Sequence, residues 1–210
     1  MNDLYRKPSS RPGDEEVLLE SSQHKRPLGF SQDGHFLLYR EFGETTGWNL
    51  LALPLSTGGT PIPIAQSSFE ERNGQFSPDG RWVAFDSNES GRSEIYVQPF
   101  PGIGSKVPVS AGGGAQPRWR RDGHELFYIG LDGQVMATPI RLGSDGRTVD
   151  PGSPVTLFAT RIAGGPMTSV NKHQYVAAPD GQRFLINVDE EEPRTPPIRL
   201  ILNWKLPTGQ

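Results

Sequence analysis

The 210-residue sequence contains no cysteine. That absence excludes disulfide bonds, thiolate metal ligands and thiol catalysis, but it leaves the cellular compartment open. The sequence also lacks an apolar stretch approaching the roughly 18 residues that a membrane span requires, and its first residues contain no apolar signal-peptide core. We therefore expect no membrane segment and no export signal in this chain.

An excess of positive charge is absent as well. The formal net charge is -3, whereas domains that bind nucleic acid normally carry a basic footprint. We therefore predict no nucleic-acid partner. No segment shows a sustained apolar period of about 3.6 residues, and this predicts essentially no helix.

Turn-forming residues are abundant, with 25 glycines and 20 prolines. One turn signature recurs at residues 30–34, 76–80, 119–123 and 177–181, and each copy ends in Asp-Gly. Asp can hydrogen-bond to its own backbone and Gly accepts a positive φ, so the signature predicts a hairpin turn. We attribute the four aspartates to turn geometry and not to catalysis. They are Asp33, Asp79, Asp122 and Asp180, separated by 46, 43 and 58 residues.

A second signature, a short strand closed by proline, recurs at residues 2–8, 48–54, 93–99 and 133–139. Its prolines are 46, 45 and 40 residues apart. A unit of about 45 residues with four short strands is typical of a β-propeller blade. We therefore predict an all-β fold, a β-propeller with four-stranded antiparallel blades and about four blades' worth of strands. We interpret it as a partial propeller, and closure into a complete four-bladed ring is the alternative.

The predicted blades form a single domain over residues 1–210. Residues 1–26 end a partial blade, residues 27–71, 72–116 and 117–167 form full blades, and residues 168–210 form a final partial blade. We expect the first two strands of the opening blade to precede Met1. We interpret residues 142–151 as a surface loop and residues 198–204 as a third strand. Open edges of this kind predict self-association.

Several segments together resemble a known family. They are FSPDG at 76–80, DLYRKP at 3–8, GGGAQPRWRRDGHELFYIGLDGQVMATPI at 112–140, QRFLINV at 182–188 and ILNW at 201–204. They are similar to the TolB-type, WD40-like β-propeller repeats found C-terminal to bacterial receptor-like serine/threonine protein kinases, and the resemblance covers about residues 2–204. It implies a non-catalytic propeller with more blades than this chain supplies. It also implies a periplasmic location when the propeller is attached to a membrane kinase, and a cytoplasmic one otherwise.

One basic cluster lies in a predicted first strand, where Arg118, Arg120 and Arg121 flank Trp119. First strands border the channel of a propeller. These side chains are therefore candidates for contact with an anionic ligand or partner, or alternatively for ion pairs with carboxylates of neighbouring blades.

The loops between second and third strands should all emerge on one face, and they contain many acidic residues. The cluster could attract a cationic partner, or it could be a solvated surface. Its members are Glu41, Glu44, Asp86, Glu89, Asp132, Asp189 and Glu190, with Glu191 and Glu192 following.

The function predicted from these features is a non-catalytic protein-interaction or ligand-sensing module of a larger bacterial signalling protein, such as a serine/threonine kinase. We expect no cofactor and no metal, because the histidines lack the spacing of zinc ligands. The alternative is the substrate-gating propeller of a prolyl-oligopeptidase-like serine peptidase. That alternative requires a separate hydrolase domain, since no Gly-x-Ser-x-Gly elbow occurs in this sequence.

Overall fold

A computed structural model describes residues 2–9, 13–56, 59–102, 104–143, 148–167 and 173–189. All regular secondary structure in these residues is β-strand, which confirms the predicted all-β class. Within the same ranges, no helix is long and apolar enough to cross a membrane.

The strands form a series of antiparallel sheets in chain order. The first is a pair, β1 (Leu4–Arg6) and β2 (Glu16–Leu19). The next is a four-stranded sheet of β3 (Lys25–Phe30), β4 (Phe36–Gly43), β5 (Gly47–Pro54) and β6 (Ile62–Ala65). A second four-stranded sheet contains β7 (Glu71–Phe76), β8 (Trp82–Ser87), β9 (Glu94–Pro99) and β10 (Val107–Pro108).

The third large sheet has five strands. It contains β11 (Ala115–Trp119), β12 (Glu125–Ile129), β13 (Gln134–Leu142), β14 (Val149–Pro151) and β15 (Val155–Ala159). The series ends with a pair, β16 (Tyr175–Ala177) and β17 (Phe184–Ile186).

The recurring Asp-Gly turn connects the first and second strands of the three large sheets and of the β16–β17 pair. In the copy between β7 and β8, Asp79 Oδ1 accepts hydrogen bonds from Ser77 Oγ (2.5 Å) and from the N–H of Arg81 (3.1 Å). The Gly80 N–H donates to the Ser77 carbonyl at 2.9 Å, and Gly80 has φ 71°. A side chain at that φ would be strained, so glycine is required there. The turn aspartates are therefore structural.

Side chains alternate in direction along each strand, and apolar side chains are buried on both faces of the sheets. On β4, Leu38 faces the β7–β10 sheet and joins a core with Phe76 and Phe85. Its neighbours Leu37 and Tyr39 point the opposite way and pack against β1 and β2. Successive strand residues point to opposite faces, so each sheet contributes to two cores. Full burial of side chains of this size stabilises the fold by about 1.5–3 kcal/mol each.

Two further cores continue the series. Trp82 and Ile95 pack with Leu126 between the second and third large sheets, and Phe127 packs with Tyr175 between the third sheet and the β16–β17 pair. The first strands of neighbouring sheets contact each other, β3 with β7 and β7 with β11. Four-stranded antiparallel sheets packed face to face around their first strands form a partial β-propeller.

Residues 142–151 differ from the predicted surface loop. β13 continues to Leu142, and its last residues pair with β14, with Ile140 opposite Pro151. The segment is thus in part a hairpin that extends the third strand, while β15 pairs with the beginning of β13 as the outer strand. Residues 144–147 and the predicted strand at 198–204 lie outside the described residues.

Candidate functional site

The first strands β3, β7, β11 and β16 converge on one cavity of about 290 Å³, which we call the central cavity. Most of the residues that line it are apolar. The apolar contributors include Leu28, Phe30, Leu38, Phe76, Trp119 and Val176, and the polar ones are Gln75, Arg118 and His173. The cavity therefore combines apolar lining residues with a small number of polar groups, which is the usual composition of a small-molecule site.

Arg118 is the charged residue of this wall, and it is 6% exposed. Its Nη1 donates to the Pro117 carbonyl at 2.6 Å, and its Nη2 contacts His173 Nδ1. The guanidinium also lies 5.7 Å from the ring centroid of Tyr175. No carboxylate among the described residues forms a salt bridge with Arg118. Burial lowers the pKa of Arg118, while charge interactions with Tyr175 and Asp86 act in the opposite direction.

His173 lies between Arg118 and the backbone of Leu28, so it links β11 to β3 along the cavity wall. One side of His173 remains exposed. Partial desolvation and the adjacent Arg118 guanidinium lower the pKa of His173 to about 4, and a hydrogen bond with the Leu28 backbone acts in the opposite direction. His173 is therefore neutral at pH 7, and its Nδ1 accepts the hydrogen bond from Arg118.

Gln75 supplies a second polar group on the neighbouring strand β7. Its Oε1 accepts a hydrogen bond from the N–H of Trp119 at 2.9 Å, which ties β7 to β11. Its Nε2 has no hydrogen-bond partner among the described residues. Gln75 and Arg118 thus both contribute hydrogen-bond donors to the lining of the cavity.

Backbone bulges shape the first strands around this site. Asn73 on β7 and Gln116 on β11 have φ of 50° and 59°, and the strand register shifts at both places. Left-handed φ at a non-glycine residue costs about 1–3 kcal/mol, and it persists only where the surroundings hold it. The two residues stand three positions before Phe76 and Trp119, the residues that begin the turn signature, so they are equivalent positions of successive sheets.

Gln116 joins the second sheet to the last strand pair. Its N–H donates to Asp86 Oδ1 at 3.1 Å, and its Nε2 donates to Gln174 Oε1 at 2.7 Å. Its carbonyl accepts a hydrogen bond from the Tyr175 hydroxyl at 2.9 Å. Gln116 is therefore a buried connector between sheets.

Asp86 corrects one prediction, because it does not belong to an exposed acidic rim. β8 continues through this position, and Asp86 is 1% exposed. Its Oδ1 also accepts a hydrogen bond from Asn73 Nδ2 at 2.8 Å. Burial raises the pKa of Asp86, while hydrogen bonds from Asn73 and Gln116 and the charges of Arg72 and Arg40 act in the opposite direction.

The other acidic candidates are spread over several local contacts. Glu44 is exposed in the β4–β5 turn, Glu89 pairs with Lys106, and Asp189 accepts a hydrogen bond from the Gly164 N–H at 3.2 Å. Asp132 caps a further Asp-Gly turn between β12 and β13, where it accepts from the Gln134 N–H at 3.1 Å. Glu190 lies outside the described residues.

The basic cluster also separates in the structure. Arg120 pairs at 2.8 Å with both Asp122 and Glu125 of its own hairpin, and not with a neighbouring blade. Arg121 is exposed in the turn, and Trp119 is a buried core residue whose position also lines the central cavity. Of the predicted cluster, Arg118 alone brings a charge to the cavity.

Two residues of the site were missed by sequence reasoning, namely His173 and Gln75. His173 is isolated in the sequence, 55 residues from Arg118, and no spacing signal connects the two. Among the described residues, no group of three or more His, Cys, Asp or Glu side chains could hold a metal ion.

Comparisons with known proteins support the fold. No protein-family model matches the sequence. An uncharacterized protein of Agrobacterium fabrum is 27% identical over 163 residues, which cover 74% of this chain and 52% of that protein. The chain therefore spans about half the length of this relative.

Two solved structures have similar folds. A protein of Agrobacterium tumefaciens described as TolB superposes with a TM-score of 0.53 at 19% identity, over 73% of this chain and 57% of that one. TolB of Acinetobacter baumannii superposes with a TM-score of 0.54 at 19% identity, over 80% of this chain and 44% of that one. At such identities the likeness shows the fold alone, and it confirms the predicted TolB-type partial propeller.

Proposed function

We propose that this chain is a non-catalytic recognition module that binds a ligand or a segment of a partner in the central cavity. The observation that carries the proposal is the buried guanidinium of Arg118, which lies on the cavity wall without a carboxylate partner among the described residues. A buried charge without a counter-charge is destabilising. A bound group of complementary chemistry would offset that cost.

We further propose that the module belongs to a larger bacterial signalling protein, such as a serine/threonine kinase with an extracytoplasmic propeller. The support is the resemblance of its turns and proline-closed strands to the propeller repeats of such kinases. Sequencing the flanking DNA tests this part. A kinase domain and a membrane helix in frame upstream are expected, whereas a hydrolase domain in frame downstream would favour the peptidase-gating role.

Binding in the cavity can be tested by blocking it. Gly29 lines the cavity, and a Cβ at this position would meet no atom within 4 Å. A Cβ at position 29 is therefore tolerated, and we expect the ring of Gly29→Phe to obstruct the cavity, with urea denaturation checking that the variant is folded. Gly13 offers a matched control, because a Cβ there also meets no atom within 4 Å and Gly13 does not line the cavity.

The measurement is ligand-observed NMR with a library of small fragments. Wild type and Gly13→Phe should bind a common set of fragments, and Gly29→Phe should lose that set. Equal binding to all three proteins would contradict a recognition site in the central cavity.

A further inference from the structure

We infer that the central cavity takes a small carboxylate with an apolar tail, and that the Arg118 guanidinium pairs with the carboxylate group. The inference rests on the proposed recognition function and specifies the class of ligand. Four features of the cavity carry it: its charge, its hydrogen-bond donors, the character of its wall and its size.

The positive charge of Arg118 favours an anionic ligand in the cavity. The two hydrogen bonds of Arg118 go to a backbone carbonyl and to His173 Nδ1, and neither acceptor is charged when His173 is neutral. The nearby carboxylate of Asp86 already accepts hydrogen bonds from Asn73 and Gln116. A guanidinium has five N–H donors, so Arg118 retains donors for a ligand, and the cavity keeps its positive charge.

The donors of the wall suit a carboxylate. A guanidinium binds the two oxygens of a carboxylate through parallel N–H groups, and this pairing is stronger than one between neutral groups. The free Nε2 of Gln75 lies on β7, next to the strand that carries Arg118, and adds a donor to the same wall. A cationic ligand would be repelled by Arg118 and would find few acceptors.

The remaining wall favours an apolar tail. Phe30 and Val176 are exposed and Leu28 is half-buried, so these three residues offer apolar surface to the cavity. Phe76, Trp119 and Leu38 also line it but are almost fully buried in the surrounding cores. Removing apolar surface from water on both sides drives such a tail into the site. A phosphate would instead lose hydration against this wall and would meet a single guanidinium.

The size of the cavity limits the ligand. A volume of about 290 Å³ lies just below the range of about 300–1,000 Å³ found for small-molecule sites. The carboxylate can come from a free short-chain acid or from the C-terminal residue of a peptide, because both present the same group with an apolar body. A sugar nucleotide or an oligosaccharide exceeds the space.

The test compares hexanoate with hexanamide, which differ in charge but hardly in shape, by isothermal titration calorimetry on the full chain. Hexanoate should bind at least about tenfold more tightly, because it makes charge-assisted hydrogen bonds. Arg118→Met should abolish the difference between the two probes, and Arg118→Lys should retain part of it. Inorganic phosphate should bind more weakly than hexanoate.

Equal affinity for hexanoate and hexanamide, tighter binding of phosphate, or an unchanged preference in Arg118→Met would overturn the inference. The wild-type comparison of the two probes needs no variant, so it stands even where a substitution impairs folding. Some fragments could bind wild type and not Gly29→Phe while hexanoate shows no advantage over hexanamide. That result would support the recognition function and contradict only the inference that the ligand is a carboxylate.

The source of the carboxylate is distinguished by a second pair of probes, the dipeptide Gly-Leu with a free or an amidated C-terminus. Tighter binding of free Gly-Leu than of hexanoate would assign the site to the C-terminus of a peptide. The reverse order would assign it to a free acid.

Discussion

Two buried charges occupy successive junctions between sheets, and their surroundings differ. Asp86, between the second and third large sheets, has polar contacts with Asn73, Gln116 and Ser93. Arg118, on the side of the third sheet that faces β16, has two neutral acceptors and faces the central cavity. The first charge is enclosed by donors of the protein itself, whereas the second has donors left over.

The enclosed charge has a structural task. Its Oδ1 accepts from the side chain of Asn73 and from the N–H of Gln116, the two residues with left-handed φ. One carboxylate oxygen therefore holds both strained positions and joins two sheets. Arg118 holds no comparable set of contacts, so the comparison assigns stability to the Asp86 junction and ligand binding to the Arg118 junction.

The largest expected effect comes from removing the carboxylate of Asp86, between the second and third large sheets. Asp86→Ala should lower the free energy of unfolding by about 3 kcal/mol, because it leaves the Gln116 N–H and the Asn73 amide without an acceptor in a dry interior. Urea denaturation measures the loss. Asp79→Ala is the control, since it removes an exposed turn aspartate and should cost about 1 kcal/mol. Equal losses in the two variants would break the distinction between enclosed and surface carboxylates.

We expect a change of the opposite sign in the free energy of unfolding when Arg118 is replaced. Arg118→Met should raise the free energy of unfolding by about 1 kcal/mol, because it replaces a buried charge that has no salt-bridge partner among the described residues with an apolar side chain of similar length. Arg120→Met is the matched control. Arg120 pairs with Asp122 and Glu125 near the surface, so its removal should cost less than about 1 kcal/mol. A destabilisation of Arg118→Met larger than that of Arg120→Met would show that the protein already compensates the Arg118 charge.

The sequence predicted the features that repeat. The Asp-Gly turn joins the first two strands of the three large sheets and of the last pair, because local backbone geometry dictates it. Proline ends the third strand at Pro54 and Pro99, whereas β13 continues past Pro139 to Leu142. Asp132 belongs with these turns, and the Asp-Gly pair that it shares with Gly133 was the available signal. The apolar run that ends at Phe85 predicts a loop at Asp86, yet β8 extends past this residue to Ser87.

The features that do not repeat were beyond such reasoning. Arg118 and His173 are in contact because the first strands converge. The repeat period predicts the order of the sheets, but it does not predict which residues of different first strands contact each other. Asn73 in β7, Gln116 in β11 and Gln174 directly before β16 share an equivalent position, which is a signal that could have been used. All three are amides, and they stand three residues before the turn signature in their sheets.

The smallest expected effect is a dependence of stability on pH that arises from His173, the neighbour of Arg118. The folded protein holds the pKa of His173 at about 4, below the ordinary value of 6.5. Between these values the unfolded chain binds a proton that the folded protein does not bind. The stabilising contribution is therefore complete above pH 6.5 and is lost as the pH falls to about 4. Urea denaturation at a series of pH values measures this slope.

His173→Gln should have a smaller slope over the same interval, and the difference from wild type isolates His173 from other titrating groups. Asp86 acts in the opposite direction there, because its raised pKa adds stability as the pH falls. The pKa of Asp122 is about 2, so that carboxylate titrates below the interval. Arg118→Met should also reduce the slope, since it removes the neighbouring charge that opposes protonation. An identical slope in wild type and His173→Gln would show that His173 is not held neutral beside Arg118, and that the cavity carries less positive charge than its geometry indicates.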